Sequence, residues 1–238
     1  MQLKNYFIMP ANRRYSLKED YVLALIELNS DSKVSHISRS RIQQLTGIKD
    51  PKTITRMTNK FQKDGFITKV NNYINQKNLV EYHLNKSKYY ICCLNSILQF
   101  KELGIFAIKL AEYRINGSPC IYMSDNELIK ALHIKRATYF AYKKALIKEN
   151  ILIEDTDCYV LSSEYFPIFN KVSESTKNKI NHLLESDKTF KGRKVFLDYY
   201  KNNFANLKCS IDYFVDYCLA GCPSIKKENK QEEINILI

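Results

Sequence analysis

Between Lys52 and Lys63 the chain carries Lys52, Thr53, Thr55, Arg56, Asn59, Lys60 and Lys63. These side chains are of the types that hydrogen-bond nucleic acid. The planar Arg fork matches a guanine edge, the Asn amide matches adenine, and Lys and Thr reach phosphate oxygens. Their spacing matters as much as their chemistry. Ile54, Met57 and Phe61 in the same stretch recur at i, i+3 and i+7, which predicts an amphipathic helix with one buried stripe and a polar face opposite. On that face Arg56 and Asn59 are the expected base contacts, and Lys60 and Lys63 the expected phosphate contacts.

The flanking residues supply the elements that would hold such a helix. Leu17 to Leu28 reads as a helix, with Tyr21, Leu25 and Leu28 on one side. Ser38 starts a short helix through Ile42 and Leu45, which Gly47 ends by supplying a positive φ. Asp50 is placed to cap the next helix with Pro51 at its first position, and Asp64-Gly65 closes it. Ile67 to Ile74 is an expected strand that turns over Asn75-Gln76-Lys77-Asn78 and returns as Leu79 to Leu84. Lys77, at the tip of this hairpin, joins the expected phosphate contacts.

The plan occurs twice. Ser38 to Ile67 recurs as Ser124 to Leu152, pairing Ser38 with Ser124, Ile42 with Leu128 and Ile48 with Ile134. After a one-residue slip at Asp50-Pro51 it pairs Thr53 with Thr138, Ile54 with Tyr139, Met57 with Tyr142, Phe61 with Leu146 and Phe66 with Ile151. The fold expected is mainly α with small β-hairpin wings, an α+β class. It comprises two tandem winged helix-turn-helix domains over residues 1–88 and 89–162, a C-terminal helical extension over 163–222 and a mobile tail over 223–238.

IQQLTGIKDPKTITRMTNKFQKDGFI resembles the helix-turn-helix domain of many plasmid and phage replication proteins. In that domain a leucine-to-glycine turn precedes a "threonine, aliphatic" helix that ends in "glycine, aliphatic, aliphatic"; Thr53-Ile54 and Gly65-Phe66-Ile67 match it. The tandem arrangement, over about two-thirds of the chain, is similar to plasmid initiators of the two-winged-helix type. The resemblance implies double-stranded DNA as partner and replication initiation as function. A transcriptional regulator bound to an operator would use the same surface. A homodimer would bind repeated or palindromic sites.

The copies differ in what they offer DNA. Where the first has Thr55, Arg56, Asn59 and Lys60, the second has Phe140, Ala141, Lys144 and Ala145, leaving Lys135, Arg136, Thr138, Lys143 and Lys144 for phosphate. Its wing turn, Glu154-Asp155-Thr156-Asp157, carries three carboxylates that a phosphate backbone repels. A third reading follows, a winged-helix module that binds a replication or host protein through the Phe140 face or the apolar end Ile234 to Ile238.

Charge follows the same gradient. The chain is +12, with 14 basic against 7 acidic residues in 1–84, 11 against 8 in 85–162 and 12 against 10 in 163–238. After Ser162, Ser173 to Leu184 reads as a helix capped by Ser173 or Ser175, and Val195 to Leu219 as one longer helix that Gly221-Cys222-Pro223 ends. Lys191, Arg193 and Lys194 at its entrance would extend a phosphate track.

No Gly-rich phosphate loop occurs, and His36, His83, His133 and His182 form no pair at metal-ligand spacing. Cys218 and Cys222, at i and i+4, lack further ligands. No catalytic site, metal or cofactor is therefore expected. Seven cysteines, an odd number, and the lack of any apolar run of membrane-spanning length place the protein in the cytoplasm with reduced thiols.

Overall fold

The computed structural model describes residues 6–11, 13–74, 77–85, 90–114, 118–166, 173–201 and 211–223, of which 72–74, 77–79, 90, 200, 201 and 212 as backbone only. The fold is mixed α+β with small antiparallel sheets. The chain divides into two compact units. The first is residues 1–112, 132–153 and 161–167; the second is 113–131, 154–160 and 168–238.

The first unit opens with strand β1 (Tyr6–Pro10), which pairs antiparallel with β6 (Tyr90–Leu94) in the register Tyr6↔Leu94 to Pro10↔Tyr90. Helix α1 (Leu17–Leu28) begins at Ser16 with a capping box. Ser16 Oγ accepts from the Glu19 backbone N–H at 3.3 Å, and Glu19 Oε2 accepts from that of Ser16 at 2.8 Å. Its bounds are those the apolar spacing predicts. It is buried far more completely than a single stripe would be, every residue from Asp20 to Ile26 lying inside.

Two short strands follow, β2 (Ser30–Asp31) and β3 (Val34–Ser35). Next come helix α2 (Arg39–Thr46), capped by Ser38, and helix α3 (Pro51–Lys63), capped by Asp50 Oδ1, which accepts from the Lys52 backbone N–H at 2.9 Å. Ile54, Met57 and Phe61 are buried as the spacing predicts, joined by Thr58. Strands β4 (Ile67–Ile74) and β5 (Lys77–Leu84) complete a sheet of order β2-β3-β5-β4. The pairing continues to Ile74↔Lys77, so the hairpin is tighter than the expected four-residue turn; residues 75 and 76 lie outside the described set.

A 3₁₀ helix (Asn95–Phe100) leads into α4 (Glu102–Ala111), which is buried all along from Gly104 to Ala111. A Cβ at Gly104 would stand 2.1 Å from the Ile97 carbonyl oxygen, so only glycine lets the two helical segments approach this closely. Helix α6 (Arg136–Lys148) packs on α4, with Phe106 stacked on Tyr142 and edge-on to Tyr139 at centroid distances of 5.3 and 5.9 Å.

One charged cluster lies inside this unit. Asp20 of α1 is fully buried and accepts from Arg13 Nε at 2.8 Å and pairs with Lys109 Nζ of α4 at 2.7 Å; Arg13 Nη2 also lies 3.1 Å from Glu112 Oε1. Burial alone would lower the Arg13 pKa, but the carboxylates of Asp20 and Glu112 outweigh it and hold that pKa above its ordinary value. The four formal charges cancel.

In the second unit β7 (Cys120–Ile121) precedes α5 (Asp125–Leu132), whose Ser124 and Glu127 repeat the capping box. The turn between β8 (Leu152–Glu154) and β9 (Tyr159–Leu161) is closed by Asp155 N–H donating to the Cys158 carbonyl at 2.9 Å. β7 pairs with β9 as Cys120↔Val160 and Ile121↔Tyr159, just as β3 pairs with β5.

The remaining helices are α7 (Glu174–Glu185), capped by Ser173, α8 (Lys191–Lys201) and α9 (Ile211–Leu219). The expected single helix from Val195 to Leu219 is therefore two, with residues 202–210 outside the described set. The aromatic residues that gave the long pattern meet across the pair, Phe196 stacking on Phe214 at 6.0 Å and Tyr199 meeting it edge-on at 4.8 Å. Ile180, Leu183, Val215 and Cys218 complete this core. The entrance cations are partly used within it. Arg193 is buried and donates to the Leu184 carbonyl in the last turn of α7 at 3.0 Å, and Lys191 donates to the Cys222 carbonyl beyond α9 at 3.2 Å, so of the three Lys194 alone is left to solvent.

The duplication extends to backbone detail. Gly47 and Gly65 have φ of 68° and 78°, and their counterparts His133 and Asn150 keep the left-handed conformation at 53° and 55°. Phe66 N–H donates to Phe61 O and Ile151 N–H to Leu146 O, each at 2.9 Å; Asn85 N–H donates to Phe66 O and Ser162 N–H to Ile151 O, each at 3.0 Å. Among the described residues no helix is long and apolar enough to cross a membrane. The six described cysteines are free thiols; Cys209 and the apolar end at 234–238 lie outside the described residues.

Asp20→Ala leaves Arg13 and Lys109 buried with their shared carboxylate gone, and is expected to cost about 3–5 kcal/mol. Urea unfolding followed by circular dichroism checks this. A loss below about 1 kcal/mol, the range of an exposed pair, would show that the cluster does not hold α1 to α4.

Candidate nucleic-acid interface

Helix α3 is tied to α1 and to Tyr15 just before it. Tyr15 packs on Phe61 and Phe66 and donates its hydroxyl to Asp64 at 2.7 Å; burial, and then the Asp64 carboxylate, hold the phenol well above its ordinary pKa. Lys60 pairs with Glu19 at 2.9 Å and sits 4.7 Å from the Tyr15 ring centroid. Lys60, expected at phosphate, is thus engaged within the protein. Its position on α3 turns it toward α1, where an acidic partner already stands.

The other expected residues divide into three groups. Lys52, Arg56 and Lys63 are exposed and, among the described residues, their side chains make no hydrogen bond or ion pair. Thr53 belongs to the cap, donating to Asp50 Oδ2 at 3.3 Å. Thr55 and Asn59 are occupied by neighbours that the sequence reading did not single out. Arg39 Nη1 donates to Thr55 Oγ1 at 3.2 Å, and Lys69 Nζ donates to Asn59 Oδ1. The Lys77 side chain lies outside the described set.

These contacts border a groove of about 670 Å³ between α3 and the β4–β5 hairpin. Arg39, Lys63 and Lys69 supply its cations, Thr55, Asn59 and Asn71 much of its polar wall, and Val80 and Tyr82 its apolar part. The alternation of a strand explains the sorting. Lys69 and Asn71 face α3 along with Tyr82 and Val80, whereas Glu81, opposite Val70, points to the other side of the sheet. There Glu81 meets His36 at 3.5 Å and His83 at 3.3 Å, two histidines far apart in sequence. No group able to hold a metal ion occurs among the described residues. The lining of the groove contains no carboxylate. Burial, and then the charge of Arg39, lower the pKa of Lys69.

Arg39, Gln62, Lys69 and Asn71 are the groove residues sequence reasoning missed. The signal available was the period of two in Ile67, Lys69 and Asn71 on the face that carries the core residue Ile67.

Helix α6 presents a different surface. Its buried stripe is Tyr139, Lys143 and Leu146, so Lys143, expected at phosphate, is inside, its Nζ 5.8 Å from the Phe140 centroid. The reason is positional: Lys143 occupies the place of Thr58, which is likewise buried in α3. The Arg136 guanidinium lies 5.1 Å from the same ring. Thr138 is half-buried, while Lys135 and Lys144 are exposed. Phe140 and Ile153 are exposed apolar residues. In the second unit, Asp157 of the acidic turn pairs with Lys188.

Burial would raise the Glu19 pKa, but Lys60 and the Ser16 backbone and hydroxyl outweigh it and lower it. The pair therefore contributes stability above the ordinary carboxylate pKa and loses it as pH falls through the lower folded value. Glu19→Gln is expected to cost about 0.5–1 kcal/mol at neutral pH and nothing in acid, once wild-type Glu19 is protonated. Urea midpoints across pH check this, and a pH-independent difference would refute the pair's role.

Comparison with protein-family models, with curated proteins and with solved structures finds no match.

Proposed function

We propose that the chain is a non-enzymatic, cytoplasmic protein that binds double-stranded DNA in a sequence-specific manner. In this reading α1, α2, α3 and the β4–β5 hairpin form a winged helix-turn-helix, and α4 to β9 form a second of the same plan. The observation that carries it is the outer face of α3. Lys52, Arg56 and Lys63 stand there without partners among the described residues, beside a groove lined by cations and no carboxylate. A folded chain gains nothing by holding unneutralised cations together, and a polyanion supplies the missing charge. The resemblance to plasmid and phage initiators makes replication initiation the preferred setting; an operator-binding regulator is the rival that shares this surface. Arg56 is the base reader in this account, and Lys52 and Lys63 hold phosphate.

A second reading concerns α6 alone. With Lys143 buried, Arg136 against an aromatic ring, and Phe140 and Ile153 exposed, its outward surface suits a protein partner better than a phosphate backbone.

The test is selection of bound fragments from random duplex DNA at physiological salt, by wild type and by Arg56→Ala. Wild type is expected to enrich one motif, and Arg56→Ala to relax one position of it at a cost of about 1–3 kcal/mol. No enrichment by wild type would overturn sequence-specific binding. A second selection with Lys135→Glu/Lys144→Glu is expected to keep the motif; its loss would give α6 a reading role equal to that of α3.

A further inference from the structure

We infer that the groove between α3 and the β4–β5 hairpin is a phosphodiester clamp, in which Arg39 and Lys69 each hold a phosphate of one nucleic-acid strand and Asn59 positions Lys69 rather than reading a base. The inference rests on the DNA-binding reading above and deepens it by naming what the groove binds. Arg39 comes from the start of α2 and Lys69 from the middle of β4, so the fold brings together two cations that lie thirty residues apart in sequence.

Each is held by a neutral acceptor on α3, Arg39 by Thr55 and Lys69 by Asn59, not by a carboxylate. A neutral tether fixes the position of a cation while leaving its charge uncompensated. An ion pair would have cancelled that charge. Glu81, the nearest acid on the hairpin, is turned to the opposite face by strand alternation. Burial, and then the charge of Arg39, lower the pKa of Lys69, so the two cations share this partly desolvated groove at a cost. An anion entering between them removes that cost, and pre-positioned donors lose little freedom when it does. The groove, about 670 Å³, has room for a backbone segment and not only a single ion.

This changes the assignment of Asn59. Its carbonyl oxygen accepts from Lys69, so a bidentate pairing with adenine would have to share that oxygen with the Lys69 ammonium. Its effect on binding therefore passes through Lys69.

The experiment measures the affinity of the full chain for duplexes of several unrelated sequences from about 50 to 200 mM salt. The variants are Arg39→Gln/Lys69→Gln, Arg39→Lys and Asn59→Ala, each checked for an unchanged circular dichroism spectrum and melting. The double variant is expected to lower the slope of log K against log salt by about 1.8, at about 0.9 per phosphate lost, and to weaken all sequences by the same factor. Arg39→Lys should keep most of the slope. Asn59→Ala should weaken all sequences alike, and less than the double variant does.

Wild-type binding with the double variant's slope unchanged overturns the clamp alone. A change of sequence preference in Asn59→Ala overturns its positioning role. Absence of wild-type binding to any duplex removes the DNA-binding reading itself. Inorganic pyrophosphate separates the two sources of phosphate. The clamp predicts displacement only as general salt produces it, and displacement by stoichiometric pyrophosphate, lost in the double variant, would assign the groove to a small phosphate ester instead.

Discussion

Asp20 is the point on which the first unit depends. Its carboxylate is shared by Arg13, just before α1, and Lys109, on α4, and Glu112 balances the second cation. Desolvating four charges costs more than an equal volume of apolar packing would, so the cluster is a poor source of stability. What it supplies is position. A carboxylate with two cationic partners from separate segments is satisfied in one arrangement of those segments, whereas apolar faces slide past each other at little cost. From α1 the constraint passes through Tyr15–Asp64 and Glu19–Lys60 to α3, and from α4 through Phe106 to Tyr139 and Tyr142 of α6. The orientation of both third helices thus traces to one buried ionic junction.

The duplicated plan shows which features the backbone demands and which it leaves free. A left-handed residue stands at the same two places in each copy, as glycine in the first and as His133 and Asn150 in the second. Non-glycine residues pay for that conformation, on the order of 1 kcal/mol or more each, and His and Asn are among those that tolerate it. The serine cap of the second helix, the turn after the last helix and the strand pairing before the second helix are kept as well, whereas the side-chain cap that Asp50 gives α3 has no equivalent at Lys135 of α6. The outward residues have changed class, from Thr55, Arg56 and Asn59 to Phe140, Ala141 and Lys144, and so has one buried position, from Thr58 to Lys143.

Amphipathic period made α1 and α3 legible from the residues, to the correct bounds for α1, and the capping residues Ser38, Asp50 and Ser173 were legible for the same local reason. Strands β1 and β6 were not. They are five residues each, β1 ends in Pro10, and each residue's partner lies eighty or more residues away, so no local pattern records the pairing. Buried charge was equally hidden, because Arg13, Asp20, Lys109 and Lys143 look like solvated residues until their partners are known. The candidate site was half legible. Residues on one helix, such as Arg56 and Lys63, share a face by arithmetic, whereas Arg39 and Lys69 join that face only through the tertiary fold.

The two outward faces imply different physics if both meet a ligand. On α3 the free cations stand beside amide and hydroxyl groups, so any complex there would combine charge with directed hydrogen bonds, and specificity would survive salt that weakens affinity. On α6 the arrangement reverses. Lys143 is buried and Arg136 rests on a ring, which leaves Lys135, Lys144 and Lys148 as the exposed lysines here. Charge without directed donors attracts any polyanion and distinguishes none, so whatever discrimination α6 achieves has to come from the shape of Phe140 and Ile153. An apolar contact of that kind gains strength from excluding water, which a hydrated phosphate backbone does not allow and a protein surface does.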